Sequence, residues 1–167
     1  MYLEMKKIFL LVMVSIAICS TTNAQKSAKS IFFEIAGPGL ASINYDMRFT
    51  KKEDGLGFRA GVGGFSLNDN VIDARYTVIL VPVGLNYLLG KDGKNYFEVG
   101  AGISGVFASE KYSNDKSTFN STFGHLNFGY RLQPKNGGFT FRAAINPIFS
   151  SGGFIPYYAG ISFGYKF

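Results

Sequence analysis

The chain has no tryptophan, one cysteine, one histidine and five prolines, and only 17% of its 167 residues are charged. Each scarcity excludes something. The single cysteine, Cys19, lies in an N-terminal leader, so the rest of the chain can form neither a disulfide nor a thiolate site. With His125 as the only histidine and no D-x-D-x-D-G loop, no metal-ligand spacing is present, and no metal or cofactor is expected. After residue 24 no apolar run approaches the roughly 20 residues a membrane-spanning helix needs. The formal charge is +6, or +5 once Lys6, Lys7 and Glu4 leave with the leader, a mild excess that gives no reason to expect a nucleic-acid partner.

What is abundant is glycine and aromatic side chains: 21 Gly, 17 Phe and 10 Tyr. That mixture, with few charges, suggests a β-protein with close backbone packing or a membrane-facing surface. The leader "MKKIFLLVMVSIAICSTTNA" has two lysines, an apolar run from Ile8 to Cys19 and small residues at its end. This is the plan of a secretory signal peptide, with cleavage expected after Ala24. Lipid attachment at Cys19 would want a small residue before it, and that residue is Ile18. The expected organisation is a signal peptide over 1–24, a short periplasmic segment over 25–30 and a barrel over 31–167.

From residue 31 the chain alternates apolar and polar residues in segments separated by turn-rich pieces. The apolar phases are Ile31, Phe33, Ile35; Ala41 to Phe49; Leu56 to Val62; Ile79 to Leu89; Phe97 to Phe107; Leu126 to Leu132; Phe139 to Ile145; and Ile161, Phe163, Tyr165, Phe167. That makes eight strands. The second, fourth and sixth connections are short and carry lysines, whereas the third, fifth and seventh are longer and more polar. Such a rhythm predicts an all-β, eight-stranded antiparallel up-and-down transmembrane β-barrel, with short turns at one end and longer loops at the other. "GAGISG", from Gly100 to Gly105, looks like a phosphate loop but reads as a strand with a glycine row on one face.

A soluble barrel would alternate in the same way with its apolar face inward. The other face decides between the two. It carries Glu34, Asn44, Asp46, Arg48, Arg59, Glu98, Asn127, Arg131, Arg142 and Asn146 among many glycines. Glycine weakens a solvated strand but leaves room for long side chains in a narrow interior. An eight-stranded barrel is just wide enough to be filled by side chains. Glu34, Asp46 and Glu98 are therefore expected to pair across the lumen with Arg48, Arg59, Arg131 and Arg142, forming a plug.

On these features the chain resembles the small eight-stranded outer-membrane β-barrel proteins, the OmpA-barrel and OmpX-like family. The resemblance spans the whole chain after the leader and rests on that leader, the alternating segments and the terminal stripe Ile161, Phe163, Tyr165, Phe167. It implies integral insertion in the outer membrane of a Gram-negative bacterium, among outer-membrane lipids and lipopolysaccharide. It also implies that the stripe is the assembly signal read by the barrel assembly machinery during insertion. Activity is left open, because fold does not fix function.

The first functional expectation is a structural or partner-binding role through the outside loops, chiefly the loop 109–121 with Tyr112 and Phe119. The second is a lipid-modifying enzyme of the lipid A deacylase or acyltransferase type with His125 as base, for which Ser104 or Ser121 would have to come within reach. The third is a small passive channel. A hydrogen-bonded lumen histidine and a salt-bridge plug are the structural alternatives to the last two.

Overall fold

The computed structural model describes residues 27–69, 74–112 and 115–167. The expected signal peptide, its cleavage site and Cys19 lie outside the described residues. The strands are β1 (Lys29–Ala36), β2 (Ser42–Arg48), β3 (Gly55–Asp69), β4 (Ala74–Leu89), β5 (Asn95–Tyr112), β6 (Asp115–Leu132), β7 (Gly138–Ile145), β8 (Ile148–Ser150), β9 (Gly153–Ile155) and β10 (Ala159–Lys166). Eight of them, β1 to β7 and β10, make the wall, each antiparallel to its neighbours, and the β1–β10 and β5–β6 ladders close the ring. Closure removes strand edges wherever neighbouring strands run side by side, as a sheet surrounded by hydrocarbon requires.

Side-chain parity along each strand separates two surfaces. Ile31, Phe33 and Ile35 of β1 are exposed, while Ser30, Phe32 and Glu34 between them are buried. β10 repeats this, with Ile161, Phe163, Tyr165 and Phe167 outside and Ser162 and Lys166 inside. On β4 the outward apolar series runs from Leu89 to Ile79 before Thr77 and Arg75 replace it. Those ten steps span about 33 Å of strand, or about 25 Å along the axis at a tilt of about 40°. The band ends in aromatics: Tyr87, Phe97, Tyr130, Phe139 and Tyr165 are exposed near its lower edge, and Phe107 at its upper edge.

The wall is uneven. β1, β2, β7 and β10 have seven or eight residues, whereas β3 to β6 have 15 to 18. Here the structure corrects the expected loops. Of the segment 109–121, residues 109–112 and 115–121 form the upper arms of β5 and β6, paired from Val106–Ser121 up to Tyr112–Asp115. Its polar residues look like a loop in sequence because both faces of a strand above the band meet water, which blurs the alternation. Likewise the stretch 147–156 holds the β8–β9 hairpin, and β8 continues the register of β7 on β6 with His125–Ile148 and Gly124–Phe149.

The connection between β1 and β2 is short because it turns inward. Gly37, Pro38 and Gly39 form a buried 3-10 turn inside the barrel. Ser104 Oγ donates to Pro38 O at 3.1 Å, and Gly39 N–H reaches Glu34 Oε2 at 3.4 Å. Ala36 (φ 58°) and Leu40 (φ 57°) flank it with positive φ, a conformation that costs of order 1–3 kcal/mol for a residue with a Cβ.

Candidate functional site

The barrel interior is where the chain concentrates its chemistry. All seven residues proposed for the polar network point inward and are at most 7% exposed. Neighbouring strands bring them together by register: Asp46 lies opposite Arg59, and Arg131 opposite Arg142. Asp46 is the hub. Its carboxylate accepts from Arg48 Nη2 at 2.9 Å and Arg131 Nη2 at 2.8 Å, with Arg142 Nη2 at 3.6 Å. Asn86 Nδ2 donates to the same carboxylate at 2.6 Å, and its Oδ1 accepts from Arg48. Glu98 stands 3.5 Å from Arg131 Nη1 and 3.7 Å from Arg142 Nη1, ion-pair rather than hydrogen-bond separations. Beside it are two small cavities of about 10 Å³, each with room for a single water.

Glu34 and Arg59 form a second pair higher in the lumen, tied to Ser42 and Asn44. Phe32 lies between the two groups, with the Arg142 guanidinium 3.7 Å and that of Arg59 5.2 Å from its ring centroid. Such cation–π contacts are worth more away from water, about 2 kcal/mol when desolvated. Glycine makes room for these heads. A Cβ on Gly57 would overlap the Arg48 guanidinium, and one on Gly102 would come 2.7 Å from His125 Nε2.

The lower opening is crossed by a further ion pair and its hydrogen bonds. Lys166 Nζ donates to both oxygens of Glu53 at 2.6 Å and to Lys135 O at 2.6 Å, and Gln133 Nε2 reaches Glu53 Oε2 at 3.2 Å. Lys166 and Gln133 sit in the inward phase and were open to sequence reasoning. Glu53 lies in a turn, where no periodicity points to it.

His125 is 6% exposed, inside β6, below the Gly37–Gly39 turn. Of the two serines considered as nucleophiles, Ser104 is within reach: its Oγ is 3.4 Å from His125 Nδ1. Ser121 stands four residues further up β6 and faces Val106. Ser104 is fully buried and its hydroxyl donates to Pro38 O, not toward an open substrate face. Among the described residues no carboxylate hydrogen-bonds to His125, and none of its kind clusters to hold a metal. The pair has the reach of a nucleophile and base but lacks an orienting acid and access.

Above this level the interior changes character. Cross-strand rows on the inner face of β3 to β6 run Leu80–Val106, then Phe65–Val78–Ala108–Phe119, then Leu67–Tyr76–Glu110. Phe65, Leu67 and Phe119 are 44%, 59% and 64% exposed there. The outer face at the same height is polar, with Ser66–Thr77–Ser109–Thr118 in one row. The two faces thus exchange roles along one set of strands.

No protein-family model matches the chain, and no curated protein matches it in sequence. Solved structures do. The N-terminal β-barrel domain of Pseudomonas aeruginosa OprF superposes with a TM-score of 0.58 at 15% identity, covering 84% of this chain and 96% of that one. Ail, the attachment invasion locus protein of Yersinia pestis, solved with the heparin analogue sucrose octasulfate, gives a TM-score of 0.52 at 8% identity, covering 84% and 94%. The fold is that of the eight-stranded outer-membrane barrels. In an outer-membrane-type barrel the exposed band faces lipid, which accounts for the side of the sheet on which Ile161, Phe163, Tyr165 and Phe167 lie.

Proposed function

We propose that the chain is an integral outer-membrane β-barrel of a Gram-negative envelope, with a closed lumen and a partner-binding surface on its tall outer wall. The observation that carries the reading is the exchange of faces along β3 to β6. Below it an apolar exterior about 25 Å high and a charged interior suit a lipid bilayer. Above it an exposed inner face of Phe65, Leu67 and Phe119, with the segment 109–121 at its top, suits a protein partner. The buried guanidinium–carboxylate cluster and the Lys166–Glu53 crossing support a plug. The outward stripe ending at Phe167 is the proposed assembly signal, and the leader ending at Ala24 the proposed route to the envelope.

The reading predicts recovery in the outer-membrane fraction and slower gel migration after boiling, as the closed barrel unfolds. It also predicts a planar bilayer without conductance steps. A protein soluble without detergent would refute the membrane assignment, and regular conductance steps would refute the plug. Acyl-transfer or deacylation chemistry at His125 is the other reading, supported by the 3.4 Å approach of Ser104. It requires the Gly37–Gly39 turn to leave Ser104. Lipid A mass spectra from cells making the His125→Ala variant should match those from cells making the parent chain; a changed acyl pattern would restore the enzyme reading.

A further inference from the structure

The barrel wall has a lateral cleft beside β6. β8 pairs with β6 only at Gly124 and His125, then departs with β9, Phe149 stacked on Phe154 at 4.7 Å between centroids. From Phe123 upward β6 keeps its β5 ladder on one side, and among the described residues nothing pairs with its other side. Between this edge and the hairpin lies a cavity of about 620 Å³. That volume falls in the range of small-molecule sites, roughly 300–1,000 Å³.

Its lining is ordered by height. Ile103 faces Gly124 across β5 and β6, in the outward row that also holds Val83, well inside the apolar band. Thr122 is one row higher with Gly105 and Val81, and the band ends at the next row, Ile79–Phe107. The cleft is therefore lined low down by Ile103, Phe123 and Phe149, with Ser150 beside Phe149 on the hairpin and the hydroxyls of Thr122 and Ser121 successively higher on β6. The backbone adds a donor. Leu126 N–H points across to Pro147 O at 3.0 Å, and the alternation of an antiparallel strand aims Thr122 N–H at the same, open side. A strand edge at the margin of hydrocarbon needs such groups satisfied.

We propose that this cleft binds one acyl-ester segment of a lipid drawn from the surrounding outer leaflet. The chain lies along Ile103, Phe123 and Phe149, and the ester carbonyl accepts from Thr122 N–H and the neighbouring hydroxyls. The occupant follows from continuity: the cleft opens from the lipid-facing band at the depth where acyl chains give way to their ester groups. This rests on the membrane reading given above.

The test is native mass spectrometry of the full chain ejected from nanodiscs of a single diacyl phospholipid. The parent chain should retain one lipid. Thr122→Trp, which fills the cleft, should lower the singly lipidated fraction about ten-fold. Val62→Trp, lipid-facing on β3, should leave it unchanged. Ser150→Trp, on the hairpin and outside the ring, should act as Thr122→Trp does and guards against a variant that fails to insert. Equal retention by all variants would mean ordinary annular lipid and overturn the proposal alone. Failure of the parent chain to enter nanodiscs or to show heat-modifiable migration would overturn the membrane reading and the cleft with it.

Discussion

The inner face of β3 to β6 below the Gly37–Gly39 turn and the same face above it share strands and parity, yet they are built from opposite materials. Below, Arg59, Glu98, Asn86 and Asn127 are buried among Gly57, Gly84, Gly100 and Gly102. Above, Phe65, Val78, Val106 and Phe119 take their places. The difference shows that parity assigns a side chain to a face, while the medium on the far side of the wall decides what that face should be. Where lipid lies outside, the polar residues must go in, and they survive there only by pairing. Where water lies outside, the polar residues can go out, and the inside becomes the apolar side of an ordinary sheet.

Removing the hub of the lower region should break this contrast most severely. Asp46→Ala leaves Arg48, Arg131 and Arg142 around an empty carboxylate position, and stranding buried charge in this way costs about 3–5 kcal/mol. Denaturant unfolding in detergent micelles measures it; a loss below about 1 kcal/mol would mean that the lower charges are solvated and that the two regions differ less than their burial indicates. At the boundary, Ala36 holds a φ of 58° that glycine adopts freely. Ala36→Gly should therefore stabilise the barrel by about 1 kcal/mol, strain relief exceeding the added chain entropy. A destabilised variant would show that the turn is not strained against its surroundings.

In the upper region the same measurement should barely move. Phe65→Ser and Phe119→Ser replace half-exposed side chains, and each should change stability by no more than about 0.5 kcal/mol. What they should lose is the partner: a protein recovered with the parent chain from detergent-solubilised membranes should be absent with the double variant. Undiminished recovery would remove the partner surface from this face.

These regions were unequally legible in the sequence. The band and the lower lumen could be read because lipid on one side forces strict alternation, so Glu34, Asp46 and Arg142 stand out against Phe33, Tyr45 and Phe141. The upper arms could not. Ser109 to Ser121 alternates weakly between two wet faces, and Phe119 there sits in the inward phase while Phe107 sits outward. Phe32, being aromatic, does not announce itself as a lumen residue, although it shares its parity with Glu34. The inward path of Gly37 to Gly39 had only its shortness as a signal. Glu53 depends on contacts with distant segments, which periodicity does not report, and the three-residue strands of the β8–β9 hairpin are too short to show a period.

A carboxylate held outside the lumen sharpens the contrast from the other end. Asp92, in the turn between β4 and β5, is exposed and accepts from the backbone N–H groups of Lys94 at 2.9 Å and Asn95 at 2.7 Å and from Asn95 Nδ2. The Asn95 side-chain bond first, then the two backbone donors, hold its carboxyl down at about 2. An unfolded aspartate titrates near about 3.9. The depressed folded value means its contribution is present above about 3.9 and lost as pH falls toward 2. Asp92→Asn should therefore unfold at a denaturant midpoint slightly below the parent's at pH 5, and the gap should close by pH 2 to 3. The neutral-pH effect should be the smallest of those above, since water stabilises an exposed carboxylate whether or not the turn does. If the parent and the variant differ by the same amount at pH 5 and pH 2, Asp92 contributes through the shape of the turn rather than through its charge.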